Sequence, residues 1–532
     1  MHTAIPHTIA AARHWKPIGH HHHHGIDIPL ASIHTCQSGG IGEFLDLLPL
    51  IDWCASVGMD IIQLLPLNDS GHDPSPYNAL SSCALHPIYL SLHALDDFTE
   101  TIGAASIETL RALTLQQRIP YTEVNAKKTE LVNTYLDIHQ ATIASSSAFK
   151  AYFRHNPWTV GYGLFKVMKT AYNEASWKQW PKKHRVPTAD TLDSLIDQHE
   201  YAIERHCVIQ YLCWKQLREV RKHATTNNIL LKGDIPILLS PDSADVWLAP
   251  TLFDMSQCAG APPDAYAKNG QNWGFPLYDW AAVAADDYAW WRQRLAVAEQ
   301  YYQLYRIDHI IGFFRLWAVA PGKSGKHGQF IPADPSEWVA HGERILTMML
   351  NSCGMLPIGE DLGIIPQEIR ESMLRLGIPG MKVMRWEREW DQEPAFHAID
   401  SYPPFSMTTV STHDSEPLGQ WWELRKKEAR LLCREKGWKY TTPLSREHRM
   451  TILRDSHASG SLFHVNLLQE YLALFPELVW GKPSDERINT PGTVSNSNWT
   501  YRYRPSIEAL HAHDGLKGSV RAILHRAIGT SI

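Results

Sequence analysis

Nothing in this chain reaches the roughly 18 consecutive apolar residues that a membrane-crossing helix needs, and its opening, MHTAIPHTIAAARHW, lacks the apolar stretch of a secretory leader. Together these absences predict a soluble, cytoplasmic protein. Blocks of like charge are also missing. With a net charge of −6 spread over 532 residues, the sequence offers no basic surface for nucleic acid and none for an anionic membrane. Cysteine is sparse and scattered: eight residues, with no C-x-x-C pair. That excludes a disulfide framework in a chain this long and predicts reduced thiols. There is no P-loop, no G-x-G-x-x-G after a strand and no lysine in a Schiff-base context, so no cofactor is expected.

Two residue types are in excess. Indole faces stack on the apolar faces of pyranose rings, so twenty tryptophans suit a sugar-binding cleft, although any single one is more simply explained by packing. His20 to His24 form an unbroken run. Adjacent histidines in a loop cannot all face one ion, and no ligand partners follow at metal-site spacing. The run is read as low complexity with incidental nickel affinity, and no metal is required.

Short apolar, β-branched runs ending in Gly, Pro, Asp or His recur along the chain, each followed by a helix-like stretch, which is the pattern of a parallel β/α fold. The candidate strands are 25–33, 59–67, 229–238, 303–309, 355–361, 380–386, 407–412 and 488–494. Eight strands close a barrel, so the predicted fold is α/β, a single (β/α)8 TIM barrel over 1–532. About 160 residues separate the second candidate from the third. That is too many for one crossover, and it predicts a helical insertion over 91–225. A Gly-, Pro-, Asn- and aromatic-rich segment within 255–300 predicts an active-site loop over the cleft, and 423–454 a charged helical elaboration.

Catalytic side chains of such barrels sit at the carboxyl ends of strands. Four candidates end in charge: LLKGDIPI with Asp234, LYRIDHI with Arg306, Asp308 and His309, LPIGEDLG with Glu360 and Asp361, and TTVSTHD with His413 and Asp414. Arg306 and Asp308 stand two apart on a strand, so their side chains leave by one face, where the guanidinium would anchor the carboxylate as a nucleophile. Glu360 follows an apolar run and a glycine, where partial burial would keep it protonated as an acid. His413 and Asp414 can reach hydroxyl groups of a polar ligand. Taken singly, these residues could equally be a structural ion pair, a helix cap and a turn. Three strand ends spending carboxylates on structure in one small volume is a poor explanation of all of them. Two carboxylates about 5 to 5.5 Å apart across a glycosidic bond suit retaining chemistry, with a third steadying the cationic transition state.

R-I-D-H, G-E-D-L-G and T-H-D, in that order, resemble the catalytic segments of the α-amylase clan. A narrower resemblance is carried by HGIDIPL, SGGIGEF, QLLPLND, SPYN, KGDIPILLSPDSADVW, GAPPDAYAKNGQNWGFPLYDW, LGIPGMKV and ERINTPGTV. These are similar to the amylomaltase family of 4-α-glucanotransferases, or disproportionating enzymes. The resemblance implies a retaining transferase that moves a segment of α-1,4-glucan to the 4-hydroxyl of an acceptor glucose or glucan, with α-1,4-glucans and maltooligosaccharides as partners, in glycogen or maltodextrin metabolism. It further implies Asp308 as nucleophile, Glu360 as acid/base and Asp414 as the carboxylate that stabilises the transition state, with Arg306 and His413 assisting. By the same resemblance Tyr77 and Trp273 contact sugar, and Asp234 shapes the donor site. The sequence departs from the family pattern at Ser415, Glu416 and Pro417 after the T-H-D motif, at Phe275 after QNWG, and in the charged ending of KVMRWERE. None of these removes a carboxylate, and all bear on acceptor and chain-length choice. The competing readings are an α-glucan hydrolase of the same clan and a catalytically inactive glucan-binding barrel. Against the hydrolase, KGDIPIL lacks an Asn-His pair after Asp234. Against the binding barrel, a protein that only binds needs neither a nucleophile nor an acid.

Overall fold

The structure, a computed structural model, describes residues 9–263, 268–389 and 395–529, the side chains of 526–529 excepted. Eight parallel strands form one sheet: β1 (His23–Ile28), β2 (Ile61–Leu64), β3 (Leu230–Pro236), β4 (Leu304–Asp308), β5 (Leu356–Gly359), β6 (Gly380–Val383), β7 (Ser406–Thr409) and β8 (Phe463–Leu467). Their spatial order, β5-β4-β3-β2-β1-β8-β7-β6, follows the chain around a ring. At the seam between β5 and β6, the Gly359 N–H donates to Pro379 O at 2.8 Å. The Met381 N–H donates to Asp361 Oδ1 at 2.7 Å across the same seam. The fold is therefore the (β/α)8 barrel.

Seven of the eight strands lie within or beside the segments that sequence patterning picks out. The eighth does not. Segment 488–494 is a loop broken by Pro491 and Gly492, with Val494 exposed, whereas the eighth strand is Phe463–Leu467. His464 and Asn466 interrupt its apolar pattern, yet both are buried. Their polar atoms are satisfied by partners from other elements: Asn466 Oδ1 accepts from Val410 N at 2.9 Å, and His464 Nδ1 lies 2.8 Å from Ser456 O. A strand whose polar residues are paid for by tertiary partners carries no apolar signature.

The loop leaving β2 is anchored by the long insertion before β3. In that insertion lie α1 (Tyr121–Ser145), α2 (Trp158–Ala171) and α3 (Glu200–Thr226). Asp69, fully buried, accepts hydrogen bonds from the Tyr162 hydroxyl at 2.6 Å and from Lys166 Nζ at 3.0 Å, both on α2. Buried Lys128 of α1 donates to Glu43 Oε1 at 2.5 Å. In 255–300, of which 264–267 lie outside the described residues, Cys258–Ala261 and Gln271–Asn272 join Leu316–Val319 and Gln329–Ile331 in a small antiparallel sheet. Between β7 and β8 run α4 (Leu418–Leu424), α5 (Lys426–Lys436) and α6 (Arg446–His457). Among the described residues no helix is long and apolar enough to cross a membrane.

Candidate active site

Four strand ends place charged side chains around Arg306. On neighbouring strands β3 and β4, Asp234 and Arg306 are register partners, and Arg306 Nη1 donates to Asp234 Oδ2 at 2.7 Å. The other nitrogen, Nη2, lies 2.8 Å from Asp308 Oδ1 and donates to Glu360 Oε2 at 3.0 Å. One buried guanidinium thus holds three carboxylates in a fixed fork. Their exposures differ: the side chain of Asp234 is fully buried, Glu360 is 17% exposed and Asp308 28%. Asp234 is shut off from solvent, whereas Asp308 and Glu360 remain partly open to it.

His309 follows β4 in the left-handed conformation, φ 53°. This turn aims its N–H at Glu360 Oε2, 2.9 Å away. A non-glycine residue held there costs free energy, and the hydrogen bond to the Glu360 carboxyl offsets part of that strain. Burial pushes the Glu360 carboxyl up to about 8, and the charges of Asp308 and Asp414 reinforce the rise, while Arg306 and the His309 N–H oppose it.

Beyond β7, the Thr412 N–H donates to Ser415 Oγ at 2.8 Å, closing the turn that displays His413 and Asp414. Asp414, 45% exposed, is the most open of the carboxylates. Its Oδ1 accepts from Asn489 Nδ2 at 2.6 Å, and its Oδ2 lies 3.6 Å from His413 Nε2. Burial disfavours charge on His413, but Asp414 and Asp27 outweigh it and raise the imidazole to about 8. Tyr77 closes the ring: its hydroxyl donates to Asp234 Oδ2 at 2.7 Å and lies 3.0 Å from His413 Nε2. Its ring stacks on His413 with centroids 5.6 Å apart. Trp273 stands edge-on to His309, centroids 5.1 Å apart, fixed by its N–H to Ala259 O at 2.9 Å and its indole N–H to Gln271 Oε1 at 2.9 Å.

The structure therefore brings together Asp234, Arg306, Asp308, Glu360, His413, Asp414 and Tyr77, with Trp273 beside them through His309. Three further residues join the site without having been singled out in the sequence. Asp27, at the end of β1, faces His413 Nδ1 at 3.9 Å. Asn489 grips Asp414, and Trp499 lies 5.5 Å from the Tyr77 ring and 6.0 Å from that of His413. Asp27 had a legible signal, a carboxylate near the end of an apolar strand. Asn489 and Trp499 sit in loops, where nothing local marks them. Of the departures, Ser415 to Pro417 directly follow Asp414, whereas Phe275 pairs with Ala259 of the small antiparallel sheet. Glu416 faces Arg385, Arg425 and Arg487 at 3.9, 3.6 and 4.0 Å, and the Phe275 carbonyl accepts from Ala259 N at 2.8 Å.

Residues 28–508 match the sequence model of a family described as 4-alpha-glucanotransferase. A protein of that name from Chlamydia pneumoniae is 43% identical over 518 residues, covering 97% of each chain. One from Synechocystis is 30% identical over 480 residues, covering 88% of this chain and 91% of its own length. Among solved structures, an amylomaltase from Streptococcus agalactiae in complex with acarbose has the same fold, with a TM-score of 0.78 at 24% identity, covering 95% of this chain and 99% of that one.

Proposed function

The chain belongs to the 4-alpha-glucanotransferase family and acts as a 4-alpha-glucanotransferase, and we propose that it does so through a covalent glucosyl-enzyme formed on Asp308. The observation that carries this assignment is the fork of Arg306, which sets Asp308 and Glu360 side by side in the cleft while burial keeps Glu360 protonated near neutral pH. One group is then fit to attack and the other to donate a proton.

In the first half-reaction Asp308 attacks the anomeric carbon of an α-1,4-linked glucose. The bond to the leaving oxygen breaks as Glu360 delivers its proton there. Esterification removes the Asp308 charge that had helped raise Glu360, so the glutamate becomes the stronger acid and stays ionised as a base. In the second half-reaction the acceptor 4-hydroxyl gives its proton to Glu360 and attacks the same carbon, and the ester bond returns its electrons to Asp308. Two inversions retain the α-configuration. Asp414, the most exposed carboxylate, is placed to hold sugar hydroxyls and to oppose the positive charge of the transition state. Asp234, His413 and Tyr77 shape the donor site through their mutual hydrogen bonds. Donors and acceptors are α-1,4-glucans and maltooligosaccharides, and eight unpaired cysteines support a reducing, cytoplasmic location.

Incubation with maltotriose alone, with products resolved by length, tests the assignment. A ladder of longer maltooligosaccharides plus glucose is expected, with the rate falling at least about a thousandfold in Asp308→Asn. Shortened products without a ladder would instead mark a hydrolase. A ladder undiminished in Asp308→Asn would remove that residue from the role of nucleophile.

A further inference from the structure

The five consecutive histidines are not a floppy run. They lead into β1, whose first two residues are His23 and His24, and the last four of them alternate between two environments. His22 and His24 turn toward β8 and α6: His22 Nδ1 lies 2.9 Å from His464 Nε2, and His24 Nδ1 lies 2.9 Å from His457 Nδ1, while His20 stands edge-on to Trp15. The odd members turn toward Asp60, which immediately precedes β2. His23 Nδ1 is 2.7 Å from Asp60 Oδ2, and His21 Nε2 is 3.7 Å from the same oxygen. Asp60 is held on both sides of its backbone unit, because its Oδ1 accepts from His24 N at 2.8 Å while its own N–H donates to His24 O at 2.8 Å.

Among the described residues this is the one group of three such side chains whose donor atoms all lie within 4.8 Å of one another. Zinc–nitrogen and zinc–oxygen bonds of about 2.0–2.1 Å require tetrahedral ligand–ligand edges of about 3.3 Å; the two edges to Asp60, 2.7 and 3.7 Å, bracket that value, and the edge between the two imidazoles is within 4.8 Å. The site is graded in exposure. His23 is 1% exposed, Asp60 29% and His21 61%, so a buried anchor and a half-buried carboxylate face a ligand arm open to solvent. It lies at the amino-terminal ends of β1 and β2, the opposite end of the barrel from Asp308 and Glu360.

We propose that His21, His23 and Asp60 form a binding site for one divalent transition-metal ion of the zinc type, with water completing the coordination, which clips the entry of β1 to the entry of β2. Two imidazoles and a carboxylate favour zinc, nickel, cobalt or copper over calcium or magnesium, which take oxygen ligands. The ion takes no part in glucosyl transfer. It contributes to stability, because an ion bound only by the folded chain raises the melting temperature.

The test must separate this site from the incidental affinity of any polyhistidine stretch. Zinc titrated into the full-length, chelator-free protein by calorimetry is expected to bind one ion per chain and to raise the melting temperature. His21→Gln is expected to weaken binding at least tenfold and to abolish the rise in melting temperature, whereas His22→Gln, in the same run but on the opposite face, leaves affinity within twofold. Asp60→Asn, 37 residues from His23 in sequence, is expected to behave as His21→Gln does, with maltotriose disproportionation confirming that each variant is folded. Equal weakening by His21→Gln and His22→Gln, or no saturable binding at all, would overturn the site. The comparison of these two exposed histidines decides the matter even if Asp60→Asn fails to fold.

Discussion

Glu360 carries opposed demands that a single side chain must reconcile. Its carboxyl is raised to about 8 from an ordinary 4.5, so at neutral pH it holds the proton that the proposed mechanism delivers to the leaving oxygen. Activity on unactivated glucans is therefore expected to fall as pH rises through about 8, a limb visible in kcat/KM against pH and absent from Glu360→Gln, whose residual rate is flat there. The same variant is expected to lose at least about a thousandfold on maltotriose yet to keep much of its first half-reaction on α-maltosyl fluoride, whose leaving group needs no proton. A stability consequence follows from linkage. Between pH 4.5 and about 8 the folded chain holds a proton that an unfolded chain has already released, so stability falls as pH rises through that window. Glu360→Gln carries no such cost, and its melting temperature should exceed that of the parent at pH 9 by more than at pH 5. A difference that did not change with pH would place Glu360 in a less buried setting than the one described.

The elements around the cleft divide the labour between a rigid floor and an aromatic rim. Trp273 hangs from the small antiparallel sheet and meets His309 edge-on, beside Asp308, where the proposed mechanism has an acceptor displace water from the glucosyl-enzyme. Trp273→Ala is expected to raise the ratio of hydrolysis to transfer several-fold while donor cleavage stays within about tenfold, read from glucose released per transfer product. An unchanged ratio would move acceptor selection elsewhere, with Trp499 the next residue to examine. On the floor, β1 approaches β2 so closely that a Cβ at Gly25 would lie 2.2 Å from the Ile61 carbonyl oxygen. Gly25→Ala must push the two strands apart, and a loss of at least about 2 kcal/mol is expected from chemical denaturation. A neutral substitution would show that the pairing has slack.

Across the whole molecule, the chain spends its cysteines as small core residues: six of the eight are buried, and only Cys36 is exposed. A thiol reagent should label Cys36 first, reach the six buried thiols only on unfolding, and leave the melting temperature unaffected by reductant. The barrel class, seven of its strands and the three carboxylates at strand ends could be read from the one-dimensional pattern, because apolar runs that end in charge are a local property of a parallel barrel. Only the tertiary structure decided the eighth strand. His464 and Asn466 there are made tolerable by Ser456 and Val410, partners that no neighbouring residue reveals. It also decided that one guanidinium serves three carboxylates from three strands, that Asp27 and Asn489 stand behind His413 and Asp414, and that alternate histidines of one run face different partners. Such relations depend on strand order and register, which place residues far apart in sequence within hydrogen-bonding distance. A strand's own residues announce that it will be buried, but only closure of the ring determines what it meets.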